Sequence, residues 1–278
     1  MSESLVSMLT ALGDDELVLG HRHSEWTGFA PHVEEDVAFS SIAQDEIGHS
    51  AAHYSLVATV TGDHPDRLAL GRSKSEYRHA ILCERDNRDW AFTLARHWLY
   101  DHADEIRLET LQETAHEDLA ALVTKIRREE RYHLIHADIW IKRVAHGPAE
   151  GRGKLVDAIG EAFDDVMGLF EPFELEEQAV KDGWLPVPSL ETGQRFVARM
   201  TAALDELGVP SRVPSRSDTG AEFVASSSGD LIAGNGTQEP AELPHDGMGG
   251  RRGRRSSDFD SLWDDLTSTY RAHPGASW

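Results

Sequence analysis

The sequence predicts an all-α protein: a four-helix bundle with additional helices and a flexible C-terminal tail. Three observations carry that prediction. Residues 1 to about 207 are rich in helix formers, with Gly and Pro confined to punctuation such as Gly28–Pro31, Gly62–Pro65, Gly147–Gly153 and Trp184–Pro188. Apolar residues recur alternately three and four apart, the spacing of a buried bundle seam. No segment carries the strict alternation and regular turns that a sheet needs.

About six helices fit this span. The first bundle helix lines its seam with Leu5, Leu9, Leu12, Glu16, Leu19, His23 and Trp26. The second presents Phe39, Ile42, Glu46, His49, His53, Leu56 and Val60. The third is less clean, running Ala91, Ala95, Trp98, His102 and Glu105, with Asp101 or Glu109 competing for the inward position. The fourth reads Leu119, Val123, Ile126, Glu130, His133, Ala137, Trp140 and Val144. A later stripe, Phe163, Val166, Met167 and Phe170, reads as core. Residues 1–209 thus form the bundle, residues 210–257 are a Gly-, Ser- and Pro-rich stretch expected to be a flexible linker, and residues 258–278 hold a last helix, Phe259 to Arg271, and a tail. No repeat of fixed period is present.

Composition narrows the function classes. A chain of 278 residues buries a sizeable core without staples. The lone cysteine, Cys83, excludes an intramolecular disulfide and any multi-cysteine zinc or iron–sulfur site; it reads as a small inert hydrophobe in a reducing compartment. No apolar run reaches the roughly 18 residues of a membrane span, and MSESLVSMLTALGDDE has neither the basic start nor the cleavable apolar core of a secretion signal. A cytoplasmic protein is expected. The formal charge of −22, from 49 acidic and 27 basic side chains, repels nucleic acid and anionic membranes. Only 5 of the basic residues are lysines, and this carboxylate-rich, lysine-poor balance predicts a halophilic protein that unfolds at low ionic strength.

A carboxylate or imidazole in an apolar seam is costly unless paired or bound to a cation, and here several coincide at one depth. Glu46/His49 and Glu130/His133 are spaced i, i+3, so each pair offers an oxygen and a nitrogen to one point. Glu16 precedes Glu46 by 30 residues and Glu105 precedes Glu130 by 25, spacings that return antiparallel helices to the same level. One Glu from each of two helices plus Glu-x-x-His from each of two others is the ligand set of di-iron carboxylate bundles. Hard carboxylates and imidazole without thiolate suit iron or manganese over structural zinc. Asp45 and Glu129 precede the motifs, where each can accept the second N–H of a ligand histidine.

With 25 Glu and 15 His, about one Glu-x-x-His is expected by chance, and the chain has five. Glu242/His245 falls in the linker, Glu113/His116 at a helix end, and Glu76/His79 on a short helix without an upstream seam carboxylate. The competing reading makes the six residues hydrogen-bonded core groups, or turns their helices to water. His21, His23, His53 and His102 read as supporting or surface residues. Tyr132 is redox-active or, more simply, packed. In GGRRGRR, residues 249–255, Arg251, Arg252, Arg254 and Arg255 are a solvated tail or a contact for a phosphorylated ligand or acidic partner.

The segment LGDDELVLGHRHSEWTGFAPHVEEDVAFSSIAQDEIGH, through Leu12, Gly13, Asp14, Arg22, Glu25, Trp26, Pro31, Asp45 and Gly48, resembles the opening of the C subunits of 1,2-phenylacetyl-CoA epoxidase, a ferritin-like multicomponent monooxygenase. LCERDNRDWAFTLARHWLYD, with Glu84, Asn87, Ala95 and Arg96, and REERYHLIHADIW, with Arg131, Tyr132, His133 and Trp140, continue the resemblance, and the GGRRG, short helix and Pro274-Gly275-x-x-Trp278 ending completes it. It implies a cytoplasmic complex of A, B and C subunits, to which a flavin/iron–sulfur reductase delivers electrons from NADPH. The complex puts one oxygen atom of O2 onto the ring of phenylacetyl-CoA. In that family the A subunit is catalytic, and the usual C subunit has lost most metal ligands and serves as its structural partner. The full set Glu16, Glu46, His49, Glu105, Glu130 and His133 departs from that pattern. Three readings follow: an epoxidase subunit with its own di-iron site, a metal-free structural partner of the A subunit, or a stand-alone di-iron ferroxidase.

Overall fold

The computed structural model describes residues 2–209 and 247–276. Among these residues are ten α-helices and no strand: α1 Glu3–Ser24, α2 Val33–Thr61, α3 Pro65–Leu70, α4 Ile81–Glu84, α5 Trp90–Leu111, α6 Glu117–Ala145, α7 Ala149–Val166, α8 Glu176–Lys181, α9 Ser189–Leu207 and α10 Asp258–Ala272. The six long helices before residue 209 match the number expected from the sequence. No helix among the described residues is long and apolar enough to cross a membrane.

Local chemistry sets the helix ends. The Ser2 hydroxyl accepts from the Ser4 amide at the start of α1, and Asp89 accepts from Phe92 N (3.0 Å) at the start of α5. α6 begins with His116 Nδ1 accepting from Leu119 N and ends with Lys142 and Arg143 in its last turn, where cations suit the helix dipole. α2 stops at Gly62, whose φ of 75° is the left-handed conformation that favours glycine.

α1 packs along α2 and α5 along α6; α2 meets α6, while α7 and α9 cover α5. The α1–α2 approach is close because Gly20 has no side chain. A Cβ there would sit 2.9 Å from Ile47 Cγ1 and 3.0 Å from Glu46 Cβ. The predicted seams of α1, α2 and α6 are the buried faces observed, except that Trp26 lies beyond the end of α1. α5, like α1, is buried on nearly all sides, so no polar face marks its orientation in the sequence. Two apolar clusters form the core, one around Leu5, Leu9, Val57, Val123 and Ile126, the other around Leu19, Trp98, Leu99, Ala137 and Phe163. The Phe163–Phe170 stripe lies in the second, as expected.

Residues 210–246 of the expected linker lie outside the described residues. Residues 247–257 do not behave as linker. Gly249 donates to Glu171, Arg251 is buried against Asp15, and Arg255 reaches buried Glu84 (3.1 Å). Composition reads this glycine–arginine run as solvated, but its arginines answer acids already buried in the bundle. A Cβ on Gly250 would stand 2.4 Å from His79 O, so only glycine lets the strap lie this close. α10 then matches the expected last helix to within a residue at each end.

Candidate metal centre

Between the two apolar clusters lies a polar layer. Glu16 from α1, Glu46 and His49 from α2 and Glu130 from α6 each bring one ligand atom to within 4.8 Å of the others, and all four side chains are buried. Glu130 Oε1 stands between two imidazoles, 3.2 Å from His49 Nδ1 and 3.1 Å from His133 Nδ1. Glu16 Oε2 lies 3.5 Å from His49 Nδ1 and Glu46 Oε1 lies 3.7 Å from His133 Nδ1. The imidazole centroids are 6.4 Å apart. The layer therefore has two ends, one at each histidine, with Glu46 and Glu130 between them.

Each histidine turns Nδ1 inward and Nε2 outward. His49 Nε2 meets Glu129 at 2.9 Å, and His133 Nε2 meets Asp45 at 3.3 Å. The two contacts run crosswise: each acid meets the histidine of the opposite helix, because α2 and α6 run antiparallel with the motifs side by side.

The inward atoms have no hydrogen-bond partner outside their own set. Glu16 Oε2, both oxygens of Glu46 and of Glu130, and Nδ1 of His49 and of His133 are buried and meet at most one another, in the contacts of 3.1–3.7 Å just given. Orphans are rare in native interiors because each costs about 1–3 kcal/mol. Seven of them aimed at one volume, all ligand atoms and none sulfur, fit hard divalent cations. The three carboxylates of the layer, with Asp101 of α5 as a fourth, would balance two such ions, two per cation.

The fourth helix departs from expectation. Glu105 does not enter the layer; it is partly exposed and paired with Arg127. The α5 carboxylate on the site side is Asp101, one turn earlier, with both oxygens buried and without a hydrogen-bond partner and with His97 Nδ1 3.2 Å from Oδ1. The near-complete burial of α5 explains the misplacement: with charged residues at 101, 104, 105, 107 and 109 and buried positions all round, periodicity could not choose between residues 101, 105 and 109.

The electrostatics register the crowding. Burial, then the charges of Glu130 and Glu16, push the Glu46 carboxyl well above its ordinary value. Burial and Glu130 do the same to Asp101. Burial opposes charge on both histidines, but Glu130 and Glu16 raise His49 to about 11, and Glu130 and Asp45 raise His133 to about 10. Without a cation, protons gather where cations would sit.

The comparisons with known proteins agree on one family. The family model described as phenylacetic acid catabolic protein matches residues 1–278. The chain is also 31% identical over 180 residues, 64% of its length, to the C subunit of 1,2-phenylacetyl-CoA epoxidase from Escherichia coli strain K12, covering 73% of that protein. The chain belongs to the phenylacetic acid catabolic protein family.

Within this family member, the other histidines divide as follows. His23 and His53 are buried with both ring nitrogens unpartnered, His102 meets Asp138 at 3.2 Å, and burial holds the half-buried His21 below its usual range. His79 pairs with Glu84 at 2.6 Å, His116 caps α6, and Glu242/His245 lies outside the described residues. Tyr132 points outward, neither packed nor near the layer's interior. Sequence reasoning missed Arg107 and Asp104. Arg107 joins Asp15 (2.7 Å) to Asp104 (2.7 Å) beside the layer, and its i+3 spacing from Asp104 was the available signal. Cys83 is buried, and burial raises its thiol well above the usual value, as suits an inert core residue.

Proposed function

We propose that this chain is the C-type subunit of a phenylacetyl-CoA epoxidase, a cytoplasmic O2-dependent monooxygenase of aerobic phenylacetate catabolism, and that it holds a di-iron site of its own. Its partners would be the A and B subunits and a flavin/iron–sulfur reductase drawing on NADPH. The observation that carries the metal assignment is the set of seven buried ligand atoms that meet at most one another in the polar layer. Glu16, Glu46, His49, Glu130 and His133 would hold the metal, with Asp101 in the place expected of Glu105. Bound iron would supply the O2-activating redox chemistry of the complex. The chain's own residues fix the donors: Glu129 and Asp45 orient the imidazoles, the apolar clusters above and below exclude water, and Gly20 lets α1 bring Glu16 beside Glu46.

One observation favours the second reading, a metal-free structural partner of the A subunit: the acids and histidines of the layer can balance one another with protons alone. Anaerobic loading with iron-57, of this chain alone and in its complex with the A subunit, separates the two by metal content and Mössbauer spectroscopy. About two irons per chain in a coupled diferric cluster after exposure to O2 supports the first. Iron confined to the A subunit supports the second. The acidic, lysine-poor surface further fits a cell with a salty cytoplasm.

A further inference from the structure

Seven large apolar side chains are exposed among the described residues, and six of them, Phe29, Val33, Val37, Tyr132, Ile135 and Ile139, lie on α2, on α6 or in the turn leading into α2. Their distribution is ordered. The outward stripe of α6 reads Lys125, Arg128, Arg131, then Tyr132, Ile135, Ile139, then Lys142, Arg143: basic, apolar, basic. Arg128, Arg131, Lys142 and Arg143 form no ion pair with a described residue, on a chain of net charge −22. Beside it, the outward stripe of α2 runs Val33, Glu34, Val37, Ser41, Gln44, Gly48, Ala51 and Ser55, with Glu34 at its start as its one charge. A Cβ on Gly48 would meet nothing within 4 Å. Soluble surfaces are normally charged and mixed; small uncharged residues on a long helix let another helix come close.

Resting on the subunit reading above, we propose that this α2–α6 face is the docking surface for a helical subunit of the complex, one whose contact surface is apolar at its centre and acidic at its ends. Charge and area both select that occupant. Two helices of 29 residues, each about 43 Å long and lying side by side, present about 800 Å², the share each partner gives to a standard stable interface. A second copy of this chain is disfavoured, because antiparallel pairing of two α6 stripes sets Lys125 and Arg128 of one copy against the Lys142–Arg143 end of the other. The face also lies over the seam where half-exposed Asp45 and Glu129 hold His133 and His49. A docked subunit would close that seam to water.

The test uses the full chain and the purified A and B subunits, with binding followed by calorimetry and sedimentation, and folding checked by circular dichroism. Ile135→Asp and Gly48→Trp strike the two stripes separately at surface positions, and Leu175→Asp alters the one exposed large side chain elsewhere. Each of the first two should weaken the binding of one partner about 100-fold, the scale of an interface hot spot, while the third leaves it unchanged. The double reversal Arg128→Glu/Arg131→Glu should slow association and flatten its salt dependence. Wild-type binding that both Ile135→Asp and Gly48→Trp leave intact overturns the docking face but keeps the subunit reading. Wild-type chain that binds neither partner overturns both, and self-association abolished by Ile135→Asp makes the occupant a second copy instead.

Discussion

Asp14, Asp15 and Glu16 are consecutive, equally buried and treated in opposite ways. Asp14 accepts from Arg72, Tyr54 and the Arg78 amide. Asp15 takes both arms of Arg251 (2.7 and 2.9 Å), one arm of Arg107 and the Ala80 amide (2.8 Å). Glu16, one residue on, turns toward the layer and finds an imidazole and other acids. A helix rotates 100° per residue, so three successive acids face three environments. The two regions set two physical answers to a buried carboxylate side by side: arginines supplied by the chain itself and, on the function proposed above, a cation from outside. A chain that builds such a complete arginine knot beside the layer has not left the layer unanswered for want of arginines.

The largest effect should come from breaking the answered region. Arg251→Met leaves Asp15 with Arg107 and the Ala80 amide and should cost about 3–5 kcal/mol in urea unfolding, the scale for removing one partner of a buried ion pair. Metal should not restore it. Burial alone would lift the Asp15 carboxyl, but Arg251 and Arg107 hold it below its ordinary value. A carboxyl depressed in the folded state adds stability that is fully present above its unfolded pKa, near 4, and is lost as the pH falls through the lower folded value. In the variant that acid-side loss should shrink. An Arg251→Met chain as stable as wild type from neutral pH to pH 3 would show that the strap only rests on the bundle.

In the unanswered region the same operation should have the opposite sign. Glu46→Gln puts a neutral side chain where burial and two neighbouring carboxylates otherwise force the carboxyl to take up a proton on folding, so the metal-free protein should gain about 1–2 kcal/mol while losing most of its iron. Thermal unfolding and metal analysis of one preparation read both. Destabilisation of the metal-free form would mean that Glu46 is a structural acid like Asp15, and the contrast between the regions would collapse.

Salt should act on neither region and on the whole surface. With a net charge of −22, raising KCl from 0.1 to about 2 M should raise the melting temperature by several degrees, by equal amounts in wild type and Arg251→Met, since buried pairs are screened little. A melting temperature flat in salt would remove the argument for salt adaptation.

How much of this was legible depended on one-sidedness. α2 and α6 each have a wet face and a dry face, so their three-and-four spacing located Glu46, His49, Glu130 and His133 from sequence; Glu16 lies on α1, which is buried nearly all round, and its spacing of 30 residues from Glu46 was the signal that placed it. The crosswise grip of Asp45 and Glu129 was legible as residue type and position, but not as pairing, which only the antiparallel contact decides. The strap at 247–257 was hidden because glycine and arginine have the composition of a linker, and their partners Glu171, Glu84 and Asp15 lie 78 to 236 residues away in sequence. α5 was hidden by total burial.

That last ambiguity gives the finest distinction. Asp101 and Glu105 lie one turn apart on α5, and the sequence favours Glu105 by analogy with the other helices, whereas Asp101 has two buried, unpartnered oxygens. Glu105 is already paired with Arg127 at a partly exposed position, worth at most about 1 kcal/mol after solvent screening. Glu105→Gln should therefore change stability by less than about 1 kcal/mol and leave iron stoichiometry unchanged. Asp101→Asn keeps the shape and removes the charge, and should drop the stoichiometry from about two irons to one, because the end at His133 loses its only α5 carboxylate while the end at His49 keeps Glu16. The reverse pattern, iron lost with Glu105→Gln and kept with Asp101→Asn, would mean that metal binding rotates or shifts α5 to bring residue 105 inward. The layer would then be assembled by the ion instead of standing ready for it.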